Sequence, residues 1–141
     1  MQIRTFKESD TAQVSALWQE IFPDDPPHNA PAIVISQKLL CQPELFFVGE
    51  LDGEIAGTVL SGYDGHRGWL YSVAVSPRQR RKGLGTKLIR HAEKELNAIG
   101  CTKINLQVRS TNAAVVAFYS ELGYEVEERI SMGKRFANTN V

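Results

Sequence analysis

The sequence predicts an α+β fold: a mixed, mostly antiparallel sheet with helices on both faces. Short apolar runs separated by turn residues follow one another between residues 45 and 75, which is typical of antiparallel strands. Further along, one amphipathic segment stands between two strand-like runs, and a helix that connects two strands of a sheet makes them parallel. At 141 residues with 43% hydrophobic content, the chain is long enough for one domain with a sizeable core.

The N-terminal third predicts one strand and two helices. Residues 2–6 alternate polar and apolar, as in a first strand. Asp10 and Gln13 have the spacing of a capping box, and the apolar residues that follow share one helical face. Four prolines make Pro23–Pro31 a loop, and a second helix is predicted from about residue 32 to residue 40. The apolar face of the first helix consists of Val14, Leu17, Trp18 and Ile21.

Three strands joined by tight turns are predicted next. Leu45–Leu51 and Glu54–Tyr63 flank Asp52-Gly53, a strong hairpin signal. A second turn at Asp64–Arg67 leads into the strand Gly68–Val75. The order strand, turn, strand makes these neighbours antiparallel.

The C-terminal half predicts a helix, a parallel strand, another helix and a hairpin. A single apolar stripe runs along Leu84–Ile99, Gly100 ends that helix, and Lys103–Val108 is the strand. Asn112 caps a helix over Ala113–Leu122. The closing hairpin is predicted at Tyr124–Glu128 and Arg129–Lys134, and residues 137–141 are predicted to be a frayed tail.

A basic loop with two glycines opens the helix at Leu84. Helix N-termini present unpaired backbone N–H groups and partial positive charge, and glycine lets a phosphate approach the main chain. The loop lacks the Gly-x-x-x-x-Gly-Lys-Ser/Thr pattern of a nucleotide-triphosphate loop. It also lacks a dinucleotide fingerprint, because Leu88 stands where the third glycine belongs, which argues against a small nucleotide-dependent oxidoreductase. What fits is Arg/Gln-x-x-Gly-x-Gly/Ala, formed by Arg80, Gly83 and Gly85.

That pattern resembles the acyl-CoA pyrophosphate loop of the GCN5-related N-acetyltransferases, the GNAT superfamily. The segment Asn112–Tyr124 resembles the second signature of the same family and follows the first in the expected order. The resemblance extends from Ile3 to Arg135, and Gly62–Gly68 is similar to a run in small bacterial acetyltransferases of unassigned substrate.

The resemblance implies a single GNAT domain over residues 1–136, with a six- to seven-stranded sheet. In that family two central parallel strands, here Gly68–Val75 and Lys103–Val108, splay apart and admit the thioester of acetyl-CoA. The backbones of Val73 and Val75 would pair with the pantetheine arm, and Ala74 between them is a further implied contact to the cofactor. The remaining implied contacts to acetyl-CoA are Arg80, Arg81, Lys82, Gly83, Leu84, Gly85, Thr86, Asn112 and Tyr119.

The resemblance also implies an acetyl transfer to a primary amine by direct attack. Tyr119 would protonate the departing thiolate, although the residue would also suit a core position, and the Val73 amide would polarise the thioester carbonyl. The positions that carry a glutamate base in some family members are Tyr71 and Gln107, so neither is a carboxylate. His66 is the predicted base, because histidine exchanges protons readily near neutral pH. Other candidates are Asp64, Tyr71, Glu50 and a water path.

Composition narrows the partners further. Sixteen basic and sixteen acidic residues give a net charge of zero, so the overall charge does not favour binding to nucleic acid. Cys41 and Cys101 match no metal-ligand spacing, and we expect no metal. No signal peptide or long apolar span is visible, so we expect a cytoplasmic protein, monomer or homodimer, that avoids membranes. The alternative function is a catalytically idle module that binds acyl-CoA as a sensor or regulator.

Overall fold

The computed structural model describes residues 1–137, and the chain falls into two compact units. The first is Met1–Leu106, and the second begins at Gln107. Of the predicted tail, residues 138–141 lie outside the described residues. The single domain over residues 1–136 stays a prediction.

The first unit contains a sheet of five strands that lie side by side in sequence order. The first four strands pair antiparallel and the last two pair parallel, which confirms the mixed, mostly antiparallel prediction. The parallel pair is the one that a helix connects, as its topology requires. The strands are β1 (Gln2–Thr5), β2 (Phe46–Leu51), β3 (Glu54–Tyr63), β4 (Gly68–Val75) and β5 (Ile104–Leu106).

Helices cover both faces of this sheet. Successive side chains of a strand point to opposite faces, so β2 shows which helices lie where. Phe46 and Val48 join a buried cluster with residues of the first two helices, and the Phe46 ring stacks on Phe6 with centroids 4.2 Å apart. Phe47 points the other way and meets the ring of His91 in the third helix at 4.6 Å. The three helices are α1 (Thr11–Ile21), α2 (Pro31–Leu39) and α3 (Leu84–Ala98).

Helix α3 approaches the sheet closely because β2 and β3 present glycines beneath it. A Cβ added to Gly57 would lie 2.8 Å from Leu88 Cδ1 and 3.0 Å from the Ala74 carbonyl oxygen. A Cβ on Gly49 would lie 2.9 Å from Leu84 Cδ1. The first turn of α3 is therefore held against the sheet by packing, because interiors of proteins leave no room for an extra methyl group there.

The second unit contains α4 (Ala113–Glu121) and, within its described residues, no strand. The predicted hairpin at Tyr124–Glu128 and Arg129–Lys134 is therefore wrong, and the sheet has five strands instead of six or seven. Alternation alone does not make a strand, because a strand needs a hydrogen-bonded neighbour and a two-stranded hairpin is marginal by itself. The apolar residues of that alternation, Val126, Ile130 and Met132, are exposed.

The predicted capping box at Asp10 and Gln13 is also wrong. A short 3-10 turn at Glu8–Asp10 precedes α1, so Asp10 itself has helical dihedral angles and its carboxylate accepts the backbone N–H of Lys7 at 2.8 Å. The Gln13 side chain accepts the backbone N–H of Ile55 at 2.9 Å. Neither side chain therefore caps α1: Asp10 binds the chain before the helix, and Gln13 binds β3.

A two-pronged ion pair joins this turn to the sheet edge. The Arg4 guanidinium donates to both carboxylate oxygens of Asp10, at 2.8 and 2.9 Å, and to Glu50 at 3.1 Å. The hydrogen bond from Arg4 holds the pKa of the Asp10 carboxyl below its usual range. Because Asp10 is buried, its ion pair with Arg4 should stabilise the fold more than an ion pair on the exposed surface does.

We expect Asp10→Asn to lower the free energy of unfolding by about 1–3 kcal/mol at neutral pH, since charged hydrogen bonds are lost. The folded-state pKa of Asp10 lies below the unfolded one, so its stabilisation is complete above roughly pH 5 and disappears as the pH falls through the folded-state pKa. Urea unfolding across that range should therefore show a shallower acid decline in the variant. Glu20→Gln, which breaks the exposed pair with Arg78, is the control and should change little. An unaltered acid decline in Asp10→Asn would contradict this account.

Candidate functional site

The parallel pairing between β4 and β5 ends early. It links Gly68 with Ile104 and stops at Leu70 with Leu106. Strand β4 continues to Val75, so within the first unit its last five residues, Tyr71–Val75, have a strand neighbour only on the β3 side. This is the splay that the family resemblance implied, and it leaves a strand edge open for an extended ligand.

A β-bulge bends β4 where the open edge begins. Thr58 pairs with Ala74 and Leu60 pairs with Tyr71, so two residues of β4 stand opposite one residue of β3. One of the two, Ser72, has φ +48, the left-handed region that side chains rarely adopt. A bulge turns a strand and leaves an extra residue out of the ladder. The chain therefore leaves the bulge in a new direction at Val73.

The backbone groups of Val75 point toward the open edge. In an antiparallel pair, alternate residues direct both their N–H and C=O groups to the partner strand. The Ser76 N–H donates to the Ala56 carbonyl at 2.8 Å, so Ser76 faces β3 and Val75 faces away from it. The sequence prediction had named this backbone as a ligand contact.

The chain passes from this edge into the glycine loop within a few residues. A 3-10 turn at Pro77–Gln79 is followed by two left-handed residues, Arg81 at φ +66 and Gly83 at φ +78. Gly83 is left-handed and the helical residue after it, Leu84, is right-handed, a change of handedness that turns successive backbone N–H groups toward one side, as in an anion-binding concavity. The first helical hydrogen bond runs from Lys87 N–H to Gly83 O at 3.0 Å. The N–H groups that precede it in α3, including those of Gly85 and Thr86, therefore have no partner inside the helix.

The structure thus brings together the predicted contacts of the first unit. Val73, Ala74 and Val75 form the open edge, and the loop from Arg80 to Thr86 follows directly. The loop cations are exposed, and Lys82 donates to the Gln79 side chain at 3.1 Å. Open backbone groups and nearby positive charge suit an extended ligand that ends in phosphates.

Asn112 and Tyr119 belong to the second unit. Asn112 caps α4, because its side-chain oxygen accepts the Val115 N–H at 3.3 Å. Tyr119 is buried, and its ring meets Phe118 and Tyr124 edge-on with centroids 5.0 and 5.6 Å away. Burial raises the pKa of Tyr119 to about 12, so the phenol keeps its proton at neutral pH. A protonated phenol is the form that a general acid requires.

Three of the predicted proton acceptors are paired with another group or have a shifted pKa. Glu50 accepts a hydrogen bond from Arg4 at 3.1 Å. Hydrogen bonds from the backbone of Arg67 and His66 lower the pKa of Asp64, which therefore holds a proton weakly. Burial raises the pKa of Tyr71, so its phenol stays neutral. In the second unit, the Gln107 amide donates to the Ser131 hydroxyl.

The structure does not bring His66 to Val73. His66 lies in the turn before β4, where its backbone N–H donates to the Asp64 carboxylate at 2.7 Å. Val73 is seven positions further along a largely extended chain, which at about 3.3 Å per residue is roughly 20 Å. The two predicted catalytic positions therefore lie at opposite ends of one strand.

Sequence reasoning missed the side chains that hold the bulge. Trp18 Nε1 donates to Thr58 Oγ1 at 2.8 Å, and Thr58 Oγ1 donates to the Ser72 carbonyl at 2.9 Å. The pattern had identified Trp18 only as part of an apolar helix face. No local signal marks the contact, because its three residues are far apart in sequence.

The chain over residues 1–137 contains no group of three or more His, Cys, Asp or Glu side chains arranged to hold a metal ion. None of its helices is both long and apolar enough to cross a membrane. Cys41 is exposed and Cys101 is buried, and each is a free thiol.

Comparisons with known proteins agree with this geometry. The acetyltransferase (GNAT) family profile matches residues 11–124. An acetyltransferase of Yersinia enterocolitica is 44% identical over 137 residues, covering 96% of this chain and 95% of the relative. Ard1 from Thermoplasma volcanium superposes with a TM-score of 0.80 at 23% identity, over 89% of this chain and 83% of that one. An aminoglycoside N-acetyltransferase in complex with CoA gives a TM-score of 0.77 at 19% identity, over 95% and 93% of the two chains.

The chain therefore belongs to the acetyltransferase (GNAT) family, and the resemblance drawn from its two motifs is confirmed. It has the GNAT fold and is an acyltransferase of that class. Its likeness to bacterial acetyltransferases covers nearly the full length of both chains.

Proposed function

We propose that this protein transfers an acetyl group from acetyl-CoA to a primary amine by direct attack of the amine on the thioester. The observation that carries the proposal is the continuity of two binding features: the open edge of β4 leads within a few residues to the unpaired amides that begin α3. The open edge of β4 suits a pantetheine arm, and the amides at the start of α3 suit a pyrophosphate. An aminoglycoside N-acetyltransferase with this fold is known in complex with CoA, which supports the choice of donor.

The acyl-CoA contacts divide between backbone and side chains. Val73 and Val75 would pair with the pantetheine amides as an added strand does, while Ala74 between them directs its backbone groups to β3. The backbone from Gly83 to Thr86 would receive the pyrophosphate, with Arg80, Arg81 and Lys82 supplying positive charge. Asn112 would contact CoA in addition to capping α4.

Tyr119 would act as the general acid. The amine nitrogen bonds to the acetyl carbon, the carbon–sulfur bond breaks, and the sulfur takes the phenolic proton as it leaves. The Val73 amide would donate to the thioester oxygen, where negative charge develops during attack. The phenol is protonated before each turnover, as the acid role requires, although its raised pKa makes it a weaker acid than an exposed tyrosine.

The amine must lose a proton, and water would accept it more readily than His66. The separation of roughly 20 Å between His66 and Val73, reckoned along an extended strand, argues against direct transfer at the thioester. His66 remains a candidate only as the outer end of a water path. Replacing His66 with Gln should then leave kcat/KM nearly unchanged.

The alternative is a catalytically idle acyl-CoA-binding sensor or regulator. It draws support from Asp64 and Tyr71, whose pKa shifts do not suit a base at neutral pH, and from Glu50, whose carboxylate is paired with Arg4. The two proposed functions share the acyl-CoA site, and they differ in whether the protein releases CoA thiol from acetyl-CoA. The cytoplasmic location and the state of monomer or homodimer stay predictions.

Gly83→Ala should weaken binding of acetyl-CoA by about tenfold or more, because a methyl group would stand beside the amides of the loop. Gly53→Ala is the matched control: the two glycines have φ +78 and +80, and a Cβ on either would meet nothing within 4 Å. Each variant should lose about 1–2 kcal/mol of stability through left-handed strain. Calorimetric titration with acetyl-CoA should show weaker binding by Gly83→Ala than by Gly53→Ala. Equal acetyl-CoA affinity in the two variants would remove the loop from the site.

Tyr119→Phe should reduce turnover by about 10²–10⁴-fold, the usual effect of removing a general acid. Its affinity for acetyl-CoA and its melting temperature should change little, since the ring is retained. The measurement is thiol release from acetyl-CoA across a panel of primary amines. Tyr124→Phe, which removes a hydroxyl from the neighbouring ring, is the control.

The same assay decides between the two functions. Amine-dependent thiol release by the wild-type protein supports acetyl transfer. Binding of acetyl-CoA without release across a broad panel would favour the sensor. Release that is equal in wild type and Tyr119→Phe would make Tyr119 a packing residue.

A further inference from the structure

A short chain of buried hydrogen bonds connects α1 to the bulge in β4. Trp18 Nε1 donates to Thr58 Oγ1, which donates in turn to the Ser72 carbonyl, at 2.8 and 2.9 Å. Trp18 is 3% exposed and Thr58 is fully buried. The bond between these two side chains is therefore shielded from water, whereas Ser72, which accepts the second bond, is half-buried.

The direction of each bond is fixed by the chemistry of its partners. An indole N–H can only donate, so the Thr58 oxygen must accept from Trp18. A hydroxyl has one hydrogen, and that hydrogen then points to the Ser72 carbonyl. Trp18 thus orients the hydroxyl, and the hydroxyl holds the carbonyl of the residue whose φ of +48 forms the bulge. Left-handed residues of this kind persist only where the surroundings hold them.

We propose that Thr58 and Trp18 are positioning residues for the acyl-CoA site: they hold the bulge at Ser72 so that the β4 edge beyond it has the shape that the thioester arm requires. The inference rests on the proposed function. Neither side chain would touch the ligand. Both act through the backbone of β4, which leaves the bulge at Val73 and faces the open edge at Val75.

The same strand supplies a matched comparison. Ser61 is also fully buried on β3, and its hydroxyl donates to a backbone carbonyl, that of Leu45, at 2.8 Å. Leu45 lies in the turn before β2, away from the bulge. The two side chains are thus alike in burial and in donating to a backbone carbonyl. They differ in which backbone they hold, and Thr58 also accepts from the Trp18 indole.

The test compares Thr58→Val with Ser61→Ala. Each deletes one buried hydroxyl and leaves a carbonyl without its side-chain donor, and Thr58→Val also leaves the buried Trp18 N–H without its acceptor, so thermal unfolding should show the larger loss in Thr58→Val. Thr58→Val should raise the Kd for acetyl-CoA about tenfold, while Ser61→Ala should stay close to wild type. Thr58→Ser, which restores the hydroxyl, should recover the affinity. Trp18→Phe, which keeps the ring stack and the Ser72 bond, should give an intermediate Kd.

Equal Kd values for Thr58→Val and Ser61→Ala would overturn the inference, and so would a Thr58→Ser variant that binds no better than Thr58→Val. If Thr58→Val does not fold, the comparison of Trp18→Phe with Ser61→Ala decides in the same way. A wild-type protein that does not bind acetyl-CoA would instead refute the proposed function, so the two failures are distinguishable.

Discussion

The structure depends on one strand, β4, whose pairing with β5 stops partway along its length. β4 has hydrogen-bonding neighbours on both sides over its first three residues and, within the first unit, on one side only after Leu70. Backbone groups away from water need partners, and a strand edge offers them to any extended chain. The bulge at Ser72 sets the direction in which that edge runs. Under the proposed function, the pantetheine arm of acetyl-CoA pairs with this open edge of β4, which is available because the pairing with β5 stops at Leu70.

The position of α3 follows from the same region of the sheet. Glycines at positions 49 and 57 leave space for Leu84 and Leu88, so the first turn of the helix packs directly on β2 and β3. That turn carries the unpaired amides, and the close packing fixes their distance from the end of β4. Under the proposed function, these apolar contacts help to hold the phosphate site and the strand edge in one geometry. Preorganisation of this kind reduces the ordering that binding would otherwise require.

Local patterns predicted what local interactions determine. The stripe along α3, the Asp52-Gly53 hairpin, the Asn112 cap and the glycine loop each depend on neighbours in sequence, and each is present. Long-range contacts were not predictable in this way. Asp10 binds Arg4 instead of capping α1, and the alternation after Tyr124 lacks a partner strand among the described residues. Nor does the sequence mark Ser72 for a left-handed backbone, since the support comes from Thr58 and Trp18 through the fold.

Amide hydrogen exchange at single residues, with and without CoA, tests the central claim most directly. If the open edge of β4 and the start of α3 form the acyl-CoA site, CoA should slow exchange at Val75, Gly85 and Thr86. Exchange in the β1–β2 pairing, for example at Ile3, should stay as it was, because those strands lie at the other side of the sheet. CoA binding that leaves the Val75 amide as fast as before would contradict the account, since the ligand would then lie elsewhere.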